Sequence, residues 1–256
     1  MSLNDVLHFV PTFVLVFFRL AGMMFFAPLL GSERIPRRIR MMIALVLSAA
    51  MCGSVTAPYI LPPTIWQLTV AIGGEMMFGF AMGMALSFTF IAAQWAGEMI
   101  GQQMGLNMAE VIDPQFSQSS TLVGDLYFML TLVVFLIIGG HRQMILGIWK
   151  SFESLPLLSL GIDRPLVDTL SGLFQACTTL AVQLAAPILV TMLVVDLALG
   201  CIGKAMPQMN IMTAGLSIRS LLGLAVLIVG VSLTTTVLAG KLAEAVDFVQ
   251  LRLQAH

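Results

Sequence analysis

Residues 65–97 read IWQLTVAIGGEMMFGFAMGMALSFTFIAAQWAG, with Glu75 as the one charged side chain. A membrane-crossing helix takes about 20 mostly apolar residues. This stretch exceeds that length, so it predicts one tilted span or a bent hairpin at membrane depth. Ten-residue segments alternating apolar and polar, the mark of a membrane β-barrel, are absent. The prediction is therefore helical.

The same pattern recurs to either side. Residues 9–30 (FVPTFVLVFFRLAGMMFFAPLL) and 41–61 (MMIALVLSAAMCGSVTAPYIL) precede it, and apolar runs at 126–148, 170–203 and 215–240 follow. The sequence GSERIPRRIR separates the first two, predicting a basic loop that carries Arg34, Arg37, Arg38 and Arg40. The positive-inside bias places that loop on the cytoplasmic side. His141, in GGHRQ, is expected to end a helix, and KSFESLPLLSLGIDRPLVD reads as a loop or short amphipathic helix. The tail KLAEAVDFVQLRLQAH has apolar residues at helical spacing. An acidic start and Arg19 within the first apolar run argue against a cleaved signal peptide.

Of the 256 residues, 59% are hydrophobic and 10% charged, against about 25% charged in a soluble domain. The chain reads as all-α and integral to a membrane, or as buried within a larger assembly. A net charge of −1 provides no basic field for nucleic acid. The three cysteines are unclustered and the three histidines isolated, so no metal site or cofactor is expected. HExxH, Walker and nucleophile-elbow patterns are missing, leaving no support for an enzyme.

Three signals carry functional information. Gly97, Gly101 and Gly105 form a double GxxxG, and Gly79 with Gly83 another. Such a stripe lets a second backbone approach closely, or lines a passage. Arg19, Glu75, Glu98, Asp125, Asp196, Lys204 and Arg219 are ionisable residues in apolar runs. Each costs roughly 2.5–3.5 kcal/mol at a bilayer centre, so they predict buried pairing, subunit contacts or a proton relay. The third signal is methionine, with 19 in the chain. Its adaptable side chain fills irregular gaps or makes a deformable seal. After the stripe, GLNMAEVIDPQFSQSS loses helical character, because Pro114 disfavours helix at Asp113. Irregular backbone at membrane depth must be buried in protein or line water.

Four stretches together resemble the FliR family of the bacterial flagellar export apparatus and its injectisome relatives. They are APLLGSERIPRRIR (27–40), AGEMIGQQMGLNMAEVIDPQ (96–115), GGHRQMILGIWKSFESLPL (139–157) and APILVTMLVVDLALGCIGKAMPQMN (186–210). The resemblance implies a non-enzymatic core subunit of a type III export gate in the bacterial inner membrane. It implies helical hairpins in which a P-type unit (1–165) is fused to a Q-type unit (166–256). Implied partners are P-type and Q-type subunits (FliP, FliQ), an FlhB-type switch protein, an FlhA-type export protein, membrane lipid and unfolded protein substrates. It also implies a plug at 106–120, with Met104, Gly105, Leu106, Asn107, Met108, Ile112, Asp113, Pro114 and Phe116 supplying the seal. Lys204 departs from the arginine expected before the PQ pair, keeping charge but losing bidentate pairing. A small secondary transporter, which also uses broken helices and intramembrane charge, is the competing reading.

Overall fold

The structure is a computed structural model that describes residues 3–28, 36–53, 55, 65–106, 121–155, 157, 164–206 and 211–247. Seven α-helices follow one another among these residues, with no strand: α1 (Leu3–Phe26), α2 (Arg37–Cys52), α3 (Ile65–Gln103), α4 (Leu122–Ile137), α5 (Gly140–Ser154), α6 (Arg164–Ala205) and α7 (Ile211–Asp247). Trp66–Gln103, Ser171–Ala205 and Gly215–Asp247 are each long and apolar enough to cross a membrane. The α4–α5 pair would add a fourth, broken span, and Val10–Phe26 is a shorter apolar helix.

The opening stretch is not a hairpin. It forms the greater part of α3, a single helix of 39 residues. At 1.5 Å per residue α3 is about 58 Å long, nearly twice the hydrocarbon thickness of about 30 Å. Helices α6 (42 residues) and α7 (37 residues) exceed the bilayer to a similar degree. No proline falls inside α3, whereas Pro187 is accommodated within α6.

Two local expectations change. Arg37, Arg38 and Arg40 lie in the first turn of α2 rather than in a loop, directly after Pro36 at the N-cap. The fixed φ of Pro36 (−54°) starts the chain correctly, and the helix formers MMIALVL carry it on. Arg34 lies outside the described residues. His141 sits in the first turn of α5 instead of closing α4. The break falls at Gly139, whose φ of +69° suits glycine, and whose carbonyl accepts the Arg142 and Gln143 amides. Residues 241–247, where apolar residues recur at helical spacing, are helical and continue α7 without a break.

The chain divides into two compact units, each discontinuous in sequence: Met1–Phe88, Leu136–Phe174 and Leu242–His256 in one, Thr89–Phe135 and Gln175–Lys241 in the other. In the first, Leu15, Leu20, Met23, Met82 and Leu86 are buried, and Phe25, Phe26 and Phe80 meet edge-to-face at 5.1–5.6 Å. Ser87 adds a hydroxyl bond to the Phe26 carbonyl. In the second, Phe90 meets Phe128 and Phe135 edge-to-face, and Ile100, Met104, Ala185 and Met192 are buried.

Burial differs sharply between the long helices. In the apolar window of α3, 67% of the residues are buried, against 22% for α6 and 17% for α7. Val190, Val194, Leu197, Leu221, Ile228 and Val229 are each more than 60% exposed. An apolar surface of that extent marks contact with lipid or another protein.

Candidate functional site

Two charged centres and one line of close-packed glycines organise the polar chemistry of the described residues. The first centre is in the unit that starts at Met1. Arg19 of α1 and Glu75 of α3 are both fully buried, and Arg19 Nε donates to Glu75 Oε2 at 2.5 Å. Arg19 Nη1 donates to the Ser151 carbonyl and hydroxyl at 3.2 Å, and both Nη1 and Nη2 to the Leu155 carbonyl at 3.3 Å. Its guanidinium carbon lies 4.5 Å from the Phe152 ring centre and 5.0 Å from that of Phe78. A planar cation with five donors is thereby satisfied around its rim and covered on its faces. Burying it is tolerable because carboxylate, hydroxyl, carbonyls and aromatic rings all replace water.

Glycines set the distance between α1 and α3 beside this pair. A Cβ on Gly79 would collide with the Arg19 carbonyl and come within 2.9 Å of Met23 N. One on Gly83 would strike the Met23 carbonyl, and one on Gly22 that of Met76. All three obstacles are backbone, which cannot step aside as a side chain can. Gly97 plays the same role in the other unit, where a Cβ would lie 2.7 Å from Gly124 Cα and 2.5 Å from the Val123 carbonyl oxygen. Gly101 is buried on the same helix.

The second centre lies at the C-terminal end of α3. Gly105 has φ +75°; its amide bonds the Gln102 carbonyl, while the Leu106 amide bonds the Gly101 carbonyl at 3.1 Å. That pair of bonds is a Schellman cap, so Gly105 stops the helix rather than extending the stripe. Gln103 Nε2 donates to Asp196 Oδ2 of α6 at 3.1 Å. Arg219 Nε of α7 stands 2.7 Å from Asp196 Oδ1, an ion pair whose N–H does not point straight at the oxygen. The Ser220 hydroxyl is 3.0 Å from both the Met104 and Leu216 carbonyls and shares one proton between them. Met104 itself is buried and fills the notch left by Gly223.

Arg19 with Glu75, and Asp196 with Arg219, are thus brought together. Glu98 is half-buried on α3 with its Cγ beside Gly124. Asp125 and Lys204 are exposed on this chain. Asp125 sits in the first turn of α4 and Lys204 in the last turn of α6, where each charge complements the helix macrodipole. Thr121 caps α4 through its side chain, accepting the Gly124 amide at 3.0 Å. Of the expected seal residues, Met104, Gly105 and Leu106 are described, and Leu106 is 38% exposed. Asn107, Met108, Ile112, Asp113, Pro114 and Phe116 lie outside the described residues. Sequence reasoning missed Gln103, Ser151, Ser220 and Gly223. Gly223, in an apolar helical run, was the one with a readable signal of close approach.

Long apolar helices drawn together by glycines around a satisfied buried charge define an all-α integral membrane protein. The chain belongs to the bacterial export proteins, family 1, whose match runs over residues 10–245. It is 30% identical to the flagellar biosynthetic protein FliR of Aquifex aeolicus (strain VF5), over 93% of this chain and 92% of that protein. Identity to FliR of Bacillus subtilis (strain 168) is 28%, over 96% and 95%. The surface presentation of antigens protein SpaR of Shigella sonnei is 27% identical over 84% and 82%. The chain is a membrane-embedded component of a bacterial type III export gate.

Proposed function

We propose that this chain is a pore-forming core subunit of the flagellar gate, passing unfolded rod, hook and filament subunits across the bacterial inner membrane. In this reading it has no enzymatic role. The export proteins of P type and Q type (FliP, FliQ) assemble with it, and FlhB-type and FlhA-type proteins act on the assembly. Residues 1–165 correspond to a P-type unit and 166–256 to a Q-type unit. The exposed apolar faces of α6 and α7 meet partner subunits as well as lipid, since both helices outrun the bilayer. Arg34, Arg37, Arg38 and Arg40 face an acidic partner or anionic headgroups.

The observation that carries the reading is the end of α3. The close-packed glycine helix is stopped by a Schellman cap at Gly105, and the chain turns out at Leu106. That is the root of the polar, proline-containing stretch 106–120, which we assign as the plug of the resting pore, with Met104, Met108, Ile112 and Phe116 as apolar closure. Residues 110–116 should be deleted in cells making the whole gate. Ion leakage through an assembled complex is the expected result. A tight membrane with normal export would make the stretch a connector and place the seal in the partners.

A further inference from the structure

The two ion pairs differ in kind. Arg19–Glu75 is sealed from solvent on every side. Asp196–Arg219 is a polar contact between two largely exposed apolar helices, and its side chains keep 27% and 38% of their exposure. The two atoms that meet, Asp196 Oδ1 and Arg219 Nε, are buried while the rest of each side chain stays partly exposed, so this pair is enclosed less completely than Arg19–Glu75. It is nonetheless placed where the glycine helix ends: Gln103 reaches the same carboxylate, and the next residue on α7, Ser220, holds the Met104 carbonyl. Two more α7 contacts converge on that turn. Leu216 packs on Gly105 in its left-handed conformation, and Gly223 receives the Met104 side chain. Stopping a helix requires only the glycine cap. The additional bonds from α6 and α7 fix where the stopped end points.

We propose that Gln103, Asp196, Arg219 and Ser220 form a latch by which α6 and α7 hold the C-terminal end of α3. The latch sets how readily that end moves when the gate opens. These are positioning residues, since none of them needs to touch exported protein. The consequence for ion sealing rests on the pore reading above, whereas the latch itself does not.

The test uses the complete gate purified with its partners. Hydrogen exchange is followed at the Met104, Gly105 and Leu106 amides, which bond Ile100, Gln102 and Gly101. Arg219→Gln and Asp196→Asn should each speed exchange there by at least about two- to fivefold, the smallest loss expected of an ion pair that is only partly exposed. Amides of residues 76–82 serve as the unaffected control. The charge-swapped double variant, Asp196→Arg with Arg219→Asp, should restore slow exchange, which a merely structural role for either side chain would not predict. Unchanged exchange in both single variants, or no recovery in the swap, overturns the latch. Should the charge variants fail to assemble, Ser220→Ala keeps the ion pair and removes only the hydroxyl bonds; unchanged exchange there overturns it equally. Fast exchange with a leak-tight membrane would uphold the latch and count against the plug assignment.

Discussion

Glu75→Ala would strand a guanidinium that has no access to water. Arg19 would keep the Ser151 and Leu155 acceptors and the two aromatic faces, but lose the carboxylate held at 2.5 Å. Removing one member of a buried pair costs about 3–5 kcal/mol. The surviving neutral acceptors place this site at the lower end, about 3 kcal/mol, or more than a hundredfold in the folded population at 1.4 kcal/mol per tenfold. Replacing both charges, Arg19→Met with Glu75→Leu, removes the desolvation cost together with the attraction. That double variant should recover to within about 1 kcal/mol of the native protein. The assay is a double-mutant cycle read by SDS titration of the detergent-purified gate, with membrane abundance as a second readout. If Glu75→Ala is as stable as the native protein, or the double variant is as damaged as the single one, the account of this site is wrong.

Two glycine predictions follow. Gly79→Ala must push α1 and α3 apart because its Cβ meets backbone, at a cost of about 1–3 kcal/mol. Gly73→Ala, on the same helix with open space around it, should stabilise by about 0.5–1 kcal/mol; equal effects in the same titration would refute the close-approach argument. Gly105→Ala forces a side chain into left-handed backbone, costing about 1–2 kcal/mol. It should fray the last turn of α3, read as faster exchange at the Gly101-bonded amide of Leu106.

Much was legible in the sequence because membrane-scale helices declare themselves by length and composition. Arg19 and Glu75 were legible as buried groups needing partners, since a charge inside an apolar run has few other fates. Their pairing was not, because the two are 56 positions apart and meet only through the register of α1 on α3. Nor were Ser151 and Leu155, which enter from the end of α5. The glycines show the same limit. Spacing placed Gly79, Gly83, Gly97, Gly101 and Gly105 on one face, and the first three face a neighbouring backbone. Gly105 does a different job at the same spacing, because glycine serves both a close approach and a positive φ. The arginines read as a loop because four cations in seven residues outweighed the helix-forming run that follows Pro36.

What the sequence determined alone is an all-α membrane protein with long apolar helices, glycine contacts and charges that must be paired. Those properties follow from per-residue solvation and local backbone preference. Only the tertiary structure decided that α3 is one unbroken helix, that one ion pair is fully enclosed while the other is partly exposed, and that α7 contacts the end of α3. Each depends on which residues distant in sequence reach the same point, and solvation of a single residue carries no information about that.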